Sequence, residues 1–144
     1  MSVKIKGEEL ILYIYDGSSA YEPIACLTSN SLAQTRNVIE SQTKCDPGVV
    51  TKLAGSVNYN ISFEGEYIET ESGLQSHAEL FAYINTITGT LQEWKLDSGQ
   101  GTDAYYGDAI LADLTLDAPA GDELSTFSGT LEGSGLIVTT NPNP

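Results

Sequence analysis

The feature of this sequence that most constrains its fold is the alternation in residues 56–68, SVNYNISFEGEYI. Every second position holds a β-branched or aromatic residue, namely Val57, Tyr59, Ile61 and Phe63, and polar residues lie between them. Successive side chains of a β-strand point to opposite faces, so this pattern predicts a strand with one buried and one solvated face. We expect it to be a central strand of the core.

Further strands are predicted from short apolar or alternating runs that end at Gly, Pro, Asp or Ser clusters. They lie at residues 9–15, 21–27, 29–43, 90–96, 104–118 and 125–140. The expected fold is a single mainly β domain over residues 1–144, a β-sandwich or open β-barrel of about six or seven strands with one α-helix. Residues 139–144 are expected to form a flexible C-terminal tail.

The hydrophobic period changes to three or four in residues 72–86, where Leu74, Ala78 and Phe81 recur on one helical face. Ser72 is positioned to cap the first turn, because its hydroxyl can accept a backbone N–H. This segment is the predicted helix, about four turns long.

A turn-containing insertion, KCDPGVVTKLAG at residues 44–55, precedes the central strand. Its turn signal is Asp46-Pro47-Gly48, because Pro presets φ and Gly accepts a positive φ. The three apolar residues that follow, Val49, Val50 and Leu53, are more than a solvated loop needs. Two interpretations stay open here: a projecting hairpin arm at about residues 43–56, or a surface loop that folds back on its own core.

The charge of the chain is strongly negative, with 20 acidic residues against six basic ones and a formal net charge of −14. All the bases lie at or before Lys95. Tight nucleic-acid binding requires Lys and Arg to neutralise phosphates, so a DNA-binding role is disfavoured. A wall that DNA slides past without sticking is compatible with this charge, and so is plain solubility.

Compartment and membrane signals are few. Cys26 and Cys45 form no CxxC pair, and two free thiols in a reducing compartment are expected. No apolar run approaches the roughly 20 residues that cross a bilayer. The sequence therefore predicts a soluble protein without membrane attachment, made in a cytoplasm.

Residues for catalysis or metal binding are not grouped in any known pattern. The single histidine, His77, lies on the predicted helix, and Glu64 and Glu66 are more simply part of one solvated strand face. Three acids near glycines lack the spacing of a calcium loop: Asp97, Asp103 and Asp108. We predict no enzyme, no cofactor and no catalytic or metal site, and leave calcium binding by this loop open.

Three groups of segments together carry a resemblance to a known family. They are YEPIACLTSNSLAQTRNVIESQTK, then VNYNISFEGEYIE after the insertion, and later YYGDAILADLTLDAPAGDELSTFSGTLEGSG. Their order and spacing resemble the major tail protein, or tail tube protein, of long-tailed, siphovirus-like bacteriophages. The matching segments cover most of residues 21–136.

The resemblance implies a structural virion protein, made in the host cytoplasm, whose hexameric rings stack into the tail tube. It further implies an acidic lumen for DNA ejection without specific binding, and contacts with tape-measure, tail terminator and distal tail or initiator proteins. The implied inter-ring arm comprises Lys44, Cys45, Asp46, Pro47, Gly48, Val49, Val50, Lys52 and Leu53. Asp113 and Asp117 are possible lumen-facing acids, because they alternate with an apolar face.

One alternative of another class is a monomeric β-sandwich module that binds carbohydrate or protein. It would use Trp94, Tyr105 and Tyr106 as a stacking surface. A third interpretation, hydrolysis, would depend on Glu64 or Glu66.

Overall fold

A computed structural model describes residues 4–15, 20–24, 27–45, 47–69, 73–85, 91–99 and 103–142. Within these residues the chain forms seven strands, one α-helix and a short 3-10 turn (Gly7–Glu9). The strands are β1 (Ile11–Tyr15), β2 (Tyr21–Pro23), β3 (Leu27–Ser41), β4 (Thr51–Glu66), β5 (Gln92–Asp97), β6 (Ala104–Asp117) and β7 (Thr126–Val138), and the helix is α1 (His77–Ile84). The predicted mainly β single domain with about seven strands and one helix is confirmed.

All seven strands belong to one antiparallel sheet in the order β2-β1-β5-β6-β7-β4-β3. The two outermost strands, β2 and β3, are neighbours in sequence, since β2 ends at Pro23 and β3 begins at Leu27. In a flat sheet of this size its edges would lie about 29 Å apart, whereas the chain from Pro23 to Leu27 reaches at most about 14 Å. The sheet therefore curls towards closure without closing. Where the two edges of the sheet approach each other, Nδ2 of Asn30 donates a hydrogen bond to the backbone oxygen of Leu10 at 3.3 Å.

The hydrophobic core fills the inside of this curled sheet. The predicted alternation of β4 is confirmed: Tyr59, Ile61 and Phe63 are buried, with 5, 1 and 3% of their surfaces exposed, although Val57 is only half-buried. Other buried core residues come from β1, β5, β6, β7 and α1: Leu12, Ile14, Leu80, Trp94, Leu96, Ala109, Leu111, Phe127 and Leu131.

One buried cluster ties four strands together around Tyr59. A Cβ added at Gly133 would lie 2.3 Å from Cζ of Tyr59, so only glycine lets this ring lie against β7. The Tyr59 hydroxyl donates to the backbone oxygen of Asp108 at 2.5 Å and accepts from Nε1 of Trp94 at 3.2 Å. Burial raises the pKa of the Tyr59 hydroxyl.

The helix is shorter than predicted and begins after Ser76. The predicted cap, Ser72, lies outside the described residues. The Glu79 carboxylate accepts a hydrogen bond from the backbone N–H of Ser76 at 2.9 Å and another from its hydroxyl. Just before this cap, Gln75 makes an isolated bridge to Ile24, and its N–H donates to the oxygen of Pro23. That bridge holds Gln75 in extended backbone and delays the start of the helix.

The buried face of the helix also differs from the prediction. Leu80 is buried, whereas Phe81, which was placed on the apolar face, is 57% exposed. Tyr83 and Ile84 pack against the core beside Leu80. Two overlapping apolar spacings are present in this short segment, and only packing against the sheet selects one of them.

A bulge in β6 overturns the single alternation that the sequence predicts for this strand. The register shifts between Leu111 and Asp113, so that Leu111 pairs with Leu131 and Asp113 pairs with Thr130. The extra residue puts Leu114 on the core side with Leu111, and it leaves Ile110 46% exposed.

Candidate assembly surfaces

The outer face of β3, β4, β7 and β6 is a continuous polar surface, which we call the acidic face. Directly paired residues have side chains on the same side of a sheet, so the register defines its rows. The rows are Ser29–Glu64–Ser128–Thr115, Ser31–Ser62–Thr130–Asp113, Ala33–Asn60–Glu132–Ile110 and Glu66–Thr126–Asp117.

None of the residues in these rows is a Lys or Arg. The predicted acids Asp113 and Asp117 both lie here, and the register brings three more acids to the same face: Glu64, Glu66 and Glu132. Hydroxyl groups lie between them; the Ser29 hydroxyl donates to Oε1 of Glu64 at 3.2 Å. Without basic partners on this face, the carboxylates give it a negative potential.

The contribution of Glu132 is the part that sequence reasoning missed. The signal was present, because Ser128, Thr130 and Glu132 alternate with the buried Phe127 and Leu131. What the sequence did not show is that β7 lies between β4 and β6, which makes one face out of three separate strands.

Two backbone edges border the acidic face. On one side β3 is the last strand of the sheet over its whole length, Leu27–Ser41. On the other side β5 pairs with β6 only as far as Ala109, so among the described strands residues 110–117 of β6 pair with β7 alone. Unpaired backbone N–H and C=O groups along such edges are templates for another strand.

The hairpin formed by β3 and β4 continues far beyond the rest of the sheet. Its ladder runs on to the pair Ser41–Thr51, whereas the pairing of β4 with β7 stops at Asn60. Within this part of the hairpin, which we call the arm (residues 36–57), β4 contributes the seven residues from Thr51 to Val57. Seven residues of strand correspond to about 23 Å, so the arm is a two-stranded ribbon.

The described residues predicted for the arm are all exposed: Lys44, Cys45, Pro47, Gly48, Val49, Val50, Lys52 and Leu53. Asp46 lies outside the described residues. Among the apolar side chains, Val49, Val50 and Leu53 are 55, 49 and 53% exposed, and the structure adds Val38 and Ile39 at 60 and 53%. An apolar group of this kind on a thin ribbon has no core of its own to join.

The arm joins the body at a second irregularity. The register of β3 and β4 shifts between Arg36 and Val38, and Arg36 Nη1 donates to the backbone oxygen of Gly55 at 3.1 Å. A Cβ at Gly55 would lie 2.9 Å from the backbone oxygen of Asn37, so glycine permits this close approach. The ion pair farther out, Lys52 to Glu40 at 4.0 Å, is solvent-exposed and contributes little.

The aromatic residues proposed as a ligand platform are not available for stacking as a group. Trp94 is fully buried and Tyr106 is 8% exposed, whereas Tyr105 is 38% exposed. Tyr106 packs edge-on against Tyr21, with ring centroids 5.8 Å apart. These contacts assign Trp94 and Tyr106 to packing between strands.

The residues considered for catalysis and metal binding are dispersed among the described positions. His77 packs between the rings of Tyr67 and Phe127, at centroid distances of 5.6 and 6.2 Å. Asp97 accepts the N–H of Gly99 and pairs with Lys95. In the described part of the chain, no three His, Cys, Asp or Glu side chains cluster as metal ligands, and no described helix has the length and apolarity to cross a membrane.

The family model described as phage tail tube protein matches residues 4–139. A search of curated proteins finds no match. Solved structures that share the fold include the following three. The tail of an empty gene transfer agent particle, refined with C6 symmetry, is 15% identical, with 96% of this chain and 100% of that chain covered and a TM-score of 0.76. The SPP1 tail tube is 12% identical, with coverage of 95% and 80% and a TM-score of 0.71. The sheath-tube complex of an extracellular contractile injection system is 17% identical, with coverage of 97% and 95% and a TM-score of 0.68.

Proposed function

This chain belongs to the phage tail tube protein family, and on that premise we propose that six copies join into a ring and that rings stack into the tail tube of a virion. The observation that carries the proposal is the acidic face with an open strand edge on either side. A surface of this kind can be extended by copies of itself, because each free edge offers a backbone ladder to the next copy. The C6 symmetry of the gene transfer agent tail supports the ring size.

The strand directions support a closed ring. Neighbouring strands in β3-β4-β7-β6 are antiparallel, so with four strands the two free edges run in opposite directions. Copies related by a rotation axis along the strands keep their orientation, and β3 of one copy therefore meets β6 of the next copy in antiparallel fashion. The joint then continues the same type of ladder as the subunit itself.

The size of such a barrel fits the passage of DNA. Four strands from each of six copies, about 4.8 Å apart, give a backbone diameter of at least about 37 Å, which strand tilt widens further. With the acidic face turned inwards, Glu64, Glu66, Glu132, Asp113 and Asp117 line the lumen. Their carboxylates repel phosphate, so DNA passes without binding.

The remaining roles follow from the position of the protein in such a particle. The tube subunit is made in the host cytoplasm and ends up in the virion, with a structural and not an enzymatic role. Its arm contacts the next ring, which buries Val49, Val50 and Leu53. Tape-measure, tail terminator and distal tail or initiator proteins are its partners at the lumen and at the two ends of the tube.

The proposed pairing of β3 with β6 of the next copy is tested by two separate variants, each with proline at Ala33 or at Gln34 in the middle of β3. Of two consecutive strand residues, one directs its N–H towards β4 and the other towards the open edge. Proline at the residue whose N–H faces β4 removes a hydrogen bond to β4 and destabilises the subunit. Proline at the residue whose N–H faces the open edge leaves the subunit folded and blocks pairing with another copy.

Thermal unfolding identifies which of these two variants keeps the wild-type melting temperature. Negative-stain electron microscopy of concentrated protein then compares that variant with the wild type. We expect rings or hollow rods from the wild type and none from the edge variant. Rings of unchanged number and diameter from the edge variant would show that β3 is not the joint.

A further inference from the structure

The two ends of the long hairpin carry different chemistry. At one end the arm tip follows Ser41 and precedes Thr51, and at the other end β4 finishes at Glu66 beside Thr126 of β7. Thr51 and Glu66 are the termini of one 16-residue strand, which spans about 50 Å. In a ring whose wall consists of these strands, the two ends lie on opposite faces of the ring.

The end away from the arm presents its own exposed apolar side chains, which we call the terminal patch: Phe81, Leu116 and Leu124. They are 57, 46 and 68% exposed. Leu116 pairs with Phe127, whose ring lies 6.2 Å from His77, and His77 lies 6.3 Å from Phe81. Leu116 and Phe81 of the patch therefore border the core at the end of the sheet.

Charge distinguishes the two ends as well. The segment 36–53 of the arm contains three of the six bases in the chain, Arg36, Lys44 and Lys52, against two acids, Glu40 and Asp46, so its formal net charge is +1. The turn that follows β6 contains Asp117, Asp122 and Glu123 within residues 117–124, without a base, and all three are exposed. The arm is thus the most basic projection of a chain with a net charge of −14, and it lies opposite an acidic turn.

We propose that the arm of one copy docks on the terminal patch and the acidic turn of a copy in the next ring. This inference rests on the proposed function and identifies the receiving surface for the arm. Apolar side chains of the arm, Val49, Val50 and Leu53, cover Leu116, Leu124 and Phe81, while Lys44 and Lys52 approach Asp122 and Glu123. The contact is heterologous, head to tail, and repeats without closing, so it builds a filament of rings with a defined polarity.

Cross-linking through the native thiol of the arm tip tests this contact. In a Cys26→Ser background, Cys45 is the only thiol of the chain, and it is exposed. A second thiol is introduced by Leu124→Cys in the proposed receiving surface. The matched control is Leu136→Cys, because Leu136 is 70% exposed but lies in the part of β7 nearer to the arm.

A short bis-maleimide is added to each concentrated protein, and the products are separated on a denaturing gel. Head-to-tail contact links Cys45 of one copy to position 124 of another, so we expect trimers and longer products at least about tenfold more abundant than in the control, because docking raises the effective concentration of the two thiols. We call this series of cross-linked products the gel ladder. Gel ladders of equal intensity from positions 124 and 136 would overturn the proposal.

Charge reversal adds an independent readout in the Leu124→Cys background. Lys44→Glu with Lys52→Glu should remove the gel ladder of cross-linked products, and Asp122→Lys with Glu123→Lys in the same chain should restore it. A ladder that survives the arm reversal unchanged would contradict the proposal. Thermal unfolding of each variant controls for loss of fold.

Ring formation is read separately by electron microscopy of the same samples. Rings without a ladder at position 124 would overturn the docking inference and leave the ring proposal standing. A ladder without rings would support the docking contact and count against the edge-to-edge ring.

Discussion

The two halves of β4 differ in the burial of their side chains, although both halves pair with β3. In residues 60–66, β4 lies between β3 and β7, and Ile61 and Phe63 are at most 3% exposed. In residues 51–58 it pairs with β3 alone, and Leu53 is 53% exposed. Backbone pairing is the same in both halves, so pairing alone does not decide which residues stabilise the subunit.

What differs is the third strand. An isolated two-stranded ribbon is marginally stable in water, because it has no second surface against which to bury its side chains. The inner half gains that surface from β7 and the core. The outer half therefore depends on the folded inner half for its stability, and its apolar side chains are available to a partner. We expect substitutions in the two halves to separate folding from assembly.

The largest loss of stability should come from filling the space under Tyr59. Gly133→Val places a branched side chain where a Cβ alone would lie 2.3 Å from the ring, so the ring must move and its hydrogen bonds to Asp108 and Trp94 are lost. We expect a loss of about 3 kcal/mol or more in the free energy of unfolding, measured by urea denaturation. Gly7→Ala is the control, since nothing lies within 4 Å of its added Cβ. A near-neutral Gly133→Val would mean that the contact with Tyr59 does not hold the inner half.

Truncation of matched aliphatic residues within β4 sharpens the comparison. Ile61→Ala in the inner half should cost about 2–5 kcal/mol, because it leaves a cavity at a position that is 1% exposed. Leu53→Ala in the outer half should change stability by no more than about 0.5 kcal/mol. Urea midpoints at equal slope give both values. Similar losses at the two positions would show that the arm is part of the folding unit.

Within the inner half, a smaller effect than that of Gly133→Val or Ile61→Ala is expected from Tyr59→Phe, which removes one hydroxyl and leaves the ring. Loss of the hydrogen bond to Asp108 and of the acceptor for Trp94 should cost about 1–3 kcal/mol at neutral pH. Because the pKa of Tyr59 is raised in the folded state, the unfolded chain ionises first, near its usual pKa of about 10. The stability that depends on the neutral hydroxyl is present below that pH and is lost as pH rises from there towards the folded pKa.

The variant should therefore lose less stability than the wild type between neutral pH and strongly alkaline pH. Unfolding curves collected across that range measure the difference in slope. Parallel curves would mean that Tyr59 does not contribute to the alkaline loss.

The strand predictions succeeded where alternation was uninterrupted and failed where it was not. In β7 the alternation from Phe127 to Glu132 is uninterrupted, and Phe127 and Leu131 are buried while Glu132 is exposed. In β6 one bulged residue reversed the faces beyond Leu111. A bulge changes the hydrogen-bond partners of a strand without a required change of composition, so alternation cannot reveal it. The helix failed similarly, because Leu80 and Phe81 offer two apolar faces and the sheet accepts only one.

The candidate surfaces were predicted in part. Asp113 and Asp117 were predicted from their own strand and do lie on an exposed polar face. Their orientation towards a lumen and the role of the arm stay predictions. The terminal patch was missed altogether, because Phe81, Leu116 and Leu124 come from three separate segments, and Phe81 was assigned to the core.

By itself, the sequence determined the number and type of the elements, because alternation, turn residues and a change of period are local properties of the chain. It also determined the excess of acids, which disfavours tight binding of DNA. Only the tertiary structure decided the strand order, in which β7 lies between β4 and β6. Strand order depends on contacts between residues far apart in sequence, and that order collects scattered carboxylates on one face and leaves two edges open beside it.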